Sequence, residues 1–480
     1  MYDLLITNAD LLTMEGDGVG YLRDGAVAIE GRTIVAVGPR AEIEERDRPA
    51  QTIDAQGGLV MPGLIDVHMH SASVIARGLA QEVATWMGSA YGPLVRHTRD
   101  EDAPLYTMLA LMEGVAAGTT TFGDYDYPMH AILQSHIAMG SRAVVCQGVL
   151  EINWADREKW VEQGWNPGVA PPLSRAYAEE GLREEIELYN RFHGLDDGRI
   201  RVIFGPLAAD MLSEPMLLRA QEVARQRHSF IHLHTAQDVR ENNATLERSG
   251  LRAVPYLDSI GMLASDTICV HLSVTTDEEV RLAARRGVRM ACCTNSIGII
   301  DGVVPPAAQF RRYGGTVGLG SDQAAGNNSH NIFAEMRATA MFAKIKAEDP
   351  TVLPAWQVLR MATIEGANTL GIGGTVGSLS VGKGADLIVV NLNKPPMAPV
   401  VRSPARNLVA NLVYAETGAN VRLTMVAGRV LYRDGVFTRI DAMQAVRAAQ
   451  EAANHFEADI SDDPVVQQLP ISVMTAQELI

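Results

Sequence analysis

A chain of 480 residues, 47% of them hydrophobic and 20% charged, has the make-up of an ordinary folded protein with room for a large core and more than one domain. Its net charge of −16, with no basic patch to neutralise phosphates, argues against nucleic acid and anionic membrane as partners. The four cysteines (Cys146, Cys269, Cys292, Cys293) lie in apolar, strand-like stretches without a Cys-x-x-Cys pair. That excludes a disulfide framework, disfavours a four-cysteine zinc site and fits a reducing cytoplasm.

Residues 1–10 lack a basic segment followed by a long apolar one, so they read as a strand start and not a signal peptide. No charge-free apolar run approaches membrane-spanning length. Up to residue 58 the chain shows short apolar runs (4–13, 25–30, 33–37) separated by Gly, Asn and Asp turns, an all-β texture. The same texture returns at 384–391, 421–426 and 429–432. One small β-sandwich domain built from 1–58 and 376–440 is therefore expected.

Between them, 59–375 alternates strand and helix patterns. Strands are expected at 64–70, 119–124, 143–149, 200–204, 230–234, 268–271, 288–292 and 317–320, with helices such as 103–117, 215–227, 276–286 and 331–346 between and after them. Eight βα units of this total length fit a (β/α)8 barrel, an α/β fold whose chemistry sits at the carboxyl ends of its strands. Residues 151–182 differ, with Trp154, Trp160, Trp165 and Tyr177 among Pro and Gly. They read either as a lid or pocket wall, or as a surface insertion or oligomer contact. Residues 441–480 read as a helix followed by a tail.

The pair His68-Met-His70 closes the apolar run 58–66. Residues two apart on a strand share a face, and two imidazoles at a strand's end can hold one metal ion. His70, His234, His271 and Asp322 fall at the ends of the first, fifth, sixth and eighth expected strands. That common address makes a metal site the leading reading of these residues.

The chain resembles the amidohydrolase superfamily, in the branch of cytosine, guanine and S-adenosylhomocysteine deaminases and of triazine hydrolases such as atrazine chlorohydrolase. The resemblance rests on Pro62-Gly-Leu-Ile-Asp-Val-His-Met-His70, Ala117-Gly-Thr-Thr-Thr121, His232-Leu-His234, Val270-His271, Gly318-Leu-Gly-Ser-Asp322, Met361-Ala-Thr-Ile-Glu-Gly-Ala-Asn368 and Gly377-Ser-Leu-Ser-Val-Gly-Lys-Gly-Ala-Asp-Leu387. It implies that His68, His70, His234 and Asp322 bind one divalent metal ion per chain, zinc first, with iron or manganese as substitutes. It implies that Asp322 acts as general base and that catalytic His271 contacts the substrate. His234 is then the ligand, and His232, one layer deeper, a core histidine. No lysine occurs between Lys159 and Lys344, so a lysine-bridged pair of metals after strand four is excluded. A homodimer or larger assembly is the family habit.

Two positions depart from the deaminase pattern. Where those enzymes place a proton-carrying Glu, three residues after the strand-five ligand, this chain has Gln237, which cannot carry a proton. Leu207 stands where a His is usual after strand four. The expected activity is hydrolysis of a C–N bond in a small nitrogen-containing molecule, first as a heterocycle deaminase. The alternatives are hydrolysis of an amide, urea, (thio)carbamate or halogenated triazine, or a catalytically silent ligand-binding relative. Trp86, Gln147, Glu151, Asn295 and His330 are candidate substrate contacts, each with core packing or loop capping as the rival role.

Overall fold

The structure, a computed structural model, describes residues 2–84, 86–153, 156, 159 and 172–480. Four strands open the chain: β1 (Tyr2–Leu12), β2 (Tyr21–Glu30), β3 (Thr33–Pro39) and β4 (Pro49–Pro62). Ten shorter ones follow: β5 (Leu64–His70), β6 (Thr119–Asp126), β7 (Arg142–Val149), β8 (Ile200–Val202), β9 (Gly205–Pro206), β10 (Ile231–Thr235), β11 (Thr267–His271), β12 (Arg289–Cys292), β13 (Thr316–Leu319) and β14 (Asp322–Gln323). Four more complete the set: β15 (Leu387–Val390), β16 (Val421–Val426), β17 (Arg429–Arg433) and β18 (Val436–Phe437).

The apolar β segments from both ends of the chain join in one eight-stranded sheet of order β18-β17-β16-β15-β4-β1-β2-β3. The joint is the antiparallel pairing of β15 with β4, Leu387 opposite Pro62. The middle strands instead pair in parallel, in the order β14-β5-β6-β7-β8 and β10-β11-β12-β13. Buried on both faces, these strands read as continuous apolar runs, as parallel strands covered by helices do. Their crossover helices, such as Glu214–Gln226 and Asp277–Arg285, bury one apolar stripe and leave charges outside. A Cβ on Gly123 of β6 would stand 2.3 Å from the Val67 carbonyl oxygen, so β6 reaches β5 only because this residue has no side chain.

The expected eighth strand is broken. β13 stops at Leu319, and Asp322–Gln323 forms the separate β14 against β5, Asp322 opposite Met69. Asp322 takes φ +60, a left-handed backbone that turns it out of strand register.

A buried bidentate ion pair fastens the parallel strands to the eight-stranded sheet. Arg142 Nε and Nη2 of β7 donate to the two Asp386 oxygens at 2.7 and 3.0 Å, and the Ala427 N–H donates to the same carboxylate at 2.8 Å. Nearby, Arg32 donates to Asp196 at 2.7 Å, and Arg199 donates to it at 2.6 Å. The tail is more ordered than its composition suggests. The helix Ala442–Ser461 lies on Ala103–Ala116, and Phe456, Val466 and Leu469 pack in one apolar cluster with Trp86, Ala90 and Leu94. Asp463 receives Arg96, and the His97 ring nitrogen at 2.7 Å. All four cysteines are free and buried. Among the described residues no helix is long and apolar enough to cross a membrane.

Candidate active site

The parallel strands bring the histidines together at their carboxyl ends. Ring centroids of His68 and His70 lie 4.8 Å apart, as do those of His68 and His234, and His234 lies 5.4 Å from His271. Asp322 Oδ1 stands 3.6 Å from His68 Nε2 and 3.4 Å from His70 Nε2. The triads His68–His234–His271 and His68–His70–Asp322 each keep their ligand atoms within 4.8 Å of one another, the spacing of side chains that share one ion. Cys293 is close to His271 and Asp322 in a third such group.

Each ring is held from behind. The Leu207 carbonyl accepts from His234 Nδ1 at 3.1 Å, which leaves Nε2 for the cluster. Residue 207 thus serves the site through its backbone. His68 Nδ1 meets His232 Nε2 at 3.1 Å, and His68 Nε2, fully buried, has no hydrogen-bond partner. His271 takes φ +77 at the end of β11, and its buried Nδ1 is also without a partner. Ser296 Oγ donates to Asp322 Oδ2 at 2.6 Å. Burial lowers the pKa of His68, His232 and His271 well below the usual histidine value; burial and then the neighbouring His70 bring His234 to about 4. The rings are therefore neutral, with lone pairs to offer. Beneath them, burial pushes Asp66 up to about 8 against the opposing pull of the Ser321 hydroxyl and N–H.

His70, His234, His271 and Asp322 form the floor of a cavity of about 490 Å³. Trp86 and Gln147 line it, as does Gln237. Trp86 stacks on Tyr91 with centroids 4.5 Å apart and planes at 15°. Glu151, Asn295 and His330 are not lining residues. Glu151 accepts the Ser213 N–H; Asn295 Nδ2 donates to Glu335 at 2.7 Å; buried His330 meets Ser321 Oγ at 2.8 Å behind the floor. Glu151 and Asn295 thus hold scaffold bonds, His330 Nε2 is buried without a partner, and none of the three stands against the cavity. Of 151–182, Trp154, Trp160 and Trp165 lie outside the described residues, whereas Asn153, Tyr177, Glu180 and Gly181 line the cavity, as does Glu184 just beyond.

Asp238, next to Gln237, is spent as the N-cap of the helix Val239–Ser249, accepting the Glu241 N–H at 3.1 Å. Glu241 itself was not legible as a site residue. It lines the cavity, accepts the Gln237 N–H at 3.1 Å, and is held well above the usual carboxylate range by burial and by Asp210. Its signal, one helical turn beyond Gln237, is also that of any helix-start glutamate. Asp126 and Tyr91 likewise line the cavity unforeseen.

Residues 59–431 match the amidohydrolase family model. The chain is 31% identical over 464 residues to a 5'-deoxyadenosine deaminase of Methanosarcina mazei, covering 96% of this chain and all of that one. It is 30% identical over 455 residues to a 5-methylthioadenosine/S-adenosylhomocysteine deaminase of Pelotomaculum thermopropionicum, covering 94% and 98%. Among solved structures, a zinc-bound adenosine deaminase from Xanthomonas campestris superposes with a TM-score of 0.86 at 28% identity, covering 95% of this chain and 99% of that one. The chain belongs to the amidohydrolase family. Its chemistry is metal-dependent hydrolysis of C–N bonds, and the His/Asp cluster is where a divalent ion fits.

Proposed function

We propose that this chain is a zinc-dependent aminohydrolase that releases ammonia from an aminated nitrogen heterocycle, with an adenine nucleoside the favoured kind. The observation that carries the reading is the buried, partnerless His68 Nε2 facing Asp322 Oδ1 at the floor of a cavity. Leaving such an atom unpaired costs about 1–3 kcal/mol, a cost that a bound ion removes. Imidazoles and one carboxylate suit zinc, so one ion per chain on His68, His70, His234 and Asp322 is proposed. The deaminase names of the relatives support the reaction, and the zinc of the Xanthomonas protein supports the metal.

When bound, the ion supplies an acidified water at neutral pH. Asp322, whose Oδ2 accepts the Ser296 hydroxyl, would hold a proton taken from the attacking water. His271, neutral and with a free Nδ1, holds the group attacked. Trp86 and Tyr91 offer a flat apolar wall to a ring. For the scaffold we propose a closed (β/α)8 barrel over 59–375, a β-sandwich of 1–58 with 376–440, and 441–480 as an added helix and tail. Support comes from the bridges Phe204–Ile231 and Ala208–His234, which join the two parallel sheets, and from a core that Ile6 and Val27 share with Leu387 and Met425.

Gln237 favours a second reading, because its amide lines the cavity where ring deamination calls for a proton carrier. That reading is hydrolysis of an amide, urea, (thio)carbamate or halogenated triazine. Ammonia release by the zinc-loaded protein from adenosine, 5'-deoxyadenosine, other purines, pterins and triazines tests the first. Turnover of aryl amides or ureas without ammonia from any ring replaces it with the second. No turnover of any C–N substrate leaves a silent binder.

A further inference from the structure

Behind the proposed ligand set runs a file of three buried groups that begins at His68. His68 Nδ1 lies 3.1 Å from His232 Nε2, and His232 Nδ1 lies 3.9 Å from Cys146 Sγ. All three side chains are fully buried. They come from β5, β10 and β7, so the file crosses between strands of both parallel sheets.

A neutral imidazole has one N–H and one lone pair. Two arrangements of protons therefore satisfy the His68–His232 contact. In the first, His68 Nδ1–H donates to His232 Nε2, and the His232 proton sits on Nδ1, pointing at the Cys146 sulfur. His68 Nε2 then carries a lone pair toward His70, His234 and Asp322. In the second, His232 Nε2–H donates to His68 Nδ1, the Cys146 S–H donates to His232 Nδ1, and the His68 proton is forced onto Nε2. A proton there blocks coordination and aims a buried N–H at the site.

We infer that His232 is a positioning residue: with Cys146 behind it, it holds His68 in the tautomer whose Nε2 lone pair faces the ion. This rests on the ligand set proposed above. One feature of the geometry favours the first arrangement, and two more mark His232 as a residue that acts through His68. His68 Nε2 has no protein partner of its own, as a ligand atom kept for an ion would not. His232 has no lining position in the cavity, so substrate contact does not explain its burial. Both of its ring nitrogens are already taken, one by a ligand and one by a thiol. The histidine two residues before a ligand on β10 thus serves a ligand on β5, in the other parallel sheet.

The test is zinc affinity of the full-length apoprotein, measured by competition with a chelator, together with imidazole 15N shifts. His232→Leu removes the acceptor; His232→Gln returns an amide oxygen close to where Nε2 stood. Losing such a partner is expected to weaken zinc binding about ten- to a hundredfold in His232→Leu, with His232→Gln recovering most of it. In the wild-type apoprotein the His68 proton is expected on Nδ1. That readout needs no variant and stands even where His232→Leu fails to fold. Zinc affinity of folded His232→Leu within about twofold of wild type, equal losses in the Leu and Gln variants, or a His68 proton on Nε2 would each overturn the inference. A wild-type protein that takes up no zinc overturns the ligand set, and this inference with it. Normal wild-type uptake with an unaffected His232→Leu overturns this inference alone.

Discussion

Two places where the parallel strands bury charge or lone pairs are built in opposite ways. At the seam with the eight-stranded sheet, each Asp386 oxygen meets an Arg142 nitrogen, and Ala427 adds a third donor. At the carboxyl ends of the parallel strands, His68 Nε2, His271 Nδ1 and Glu241 Oε1 are buried without partners. Both regions are equally dry, so burial does not explain the difference. Charge satisfied within the chain holds two layers together; the capacity left unsatisfied beside Asp322 is where the proposed ion would complete the structure.

Four substitutions press on that contrast. Asp322→Ala, at the open end, is expected to cost about 10³–10⁴ in kcat/KM, because it removes both a ligand and the proton acceptor. Its urea midpoint as apoprotein should stay close to wild type; a large drop would mean that the cluster is structural. Asp386→Ala should do the reverse. It strands a buried guanidinium and is expected to cost about 3–5 kcal/mol in urea unfolding, with kcat/KM per folded molecule unchanged. Gln237→Glu restores a proton carrier to the cavity and should raise ammonia release from a purine about tenfold or more. Equal or lower rates would show that the proton route is not limiting.

The smallest effect belongs to the seam's outer edge. Hydrogen bonds from Arg199 and Arg32 outweigh burial and lower Asp196 to about 2. A carboxylate lowered in the folded state stabilises it above the unfolded value near 4. That contribution fades as pH falls from about 4 to about 2. Because the pair is partly exposed, Asp196→Asn should cost only about 1 kcal/mol at pH 7 and flatten the acid limb of the stability curve. An acid limb identical to wild type would assign that limb to other carboxylates.

Much of this was legible along the chain because strand ends are punctuated by chemistry. His68 and His70 stand two apart on one strand, and His234, His271 and Asp322 each close an apolar run, so strand period and strand end together locate them. The break in the last parallel strand was not legible, since Gly320-Ser321 does not announce that Asp322 swings onto β5. Glu151, Asn295 and His330, which lie off the cavity lining, could not be placed from sequence for a simpler reason. A polar residue just past a strand can face the cavity or the neighbouring loop, and nothing in its immediate sequence says which. Asp126 was hidden by the same ambiguity with the opposite outcome.

The helix Ala442–Ser461 and the turn that follows it lean on the stretch carrying Trp86 and Tyr91, with Asp463 hooked to Arg96 and His97. The wall against which a ring would rest is thus propped by a part of the chain more than three hundred residues away that supplies no lining residue of its own. If a ring does rest there, changes in this prop are expected to alter which molecules settle in the cavity, read as KM, before they alter the chemistry at the floor, read as kcat.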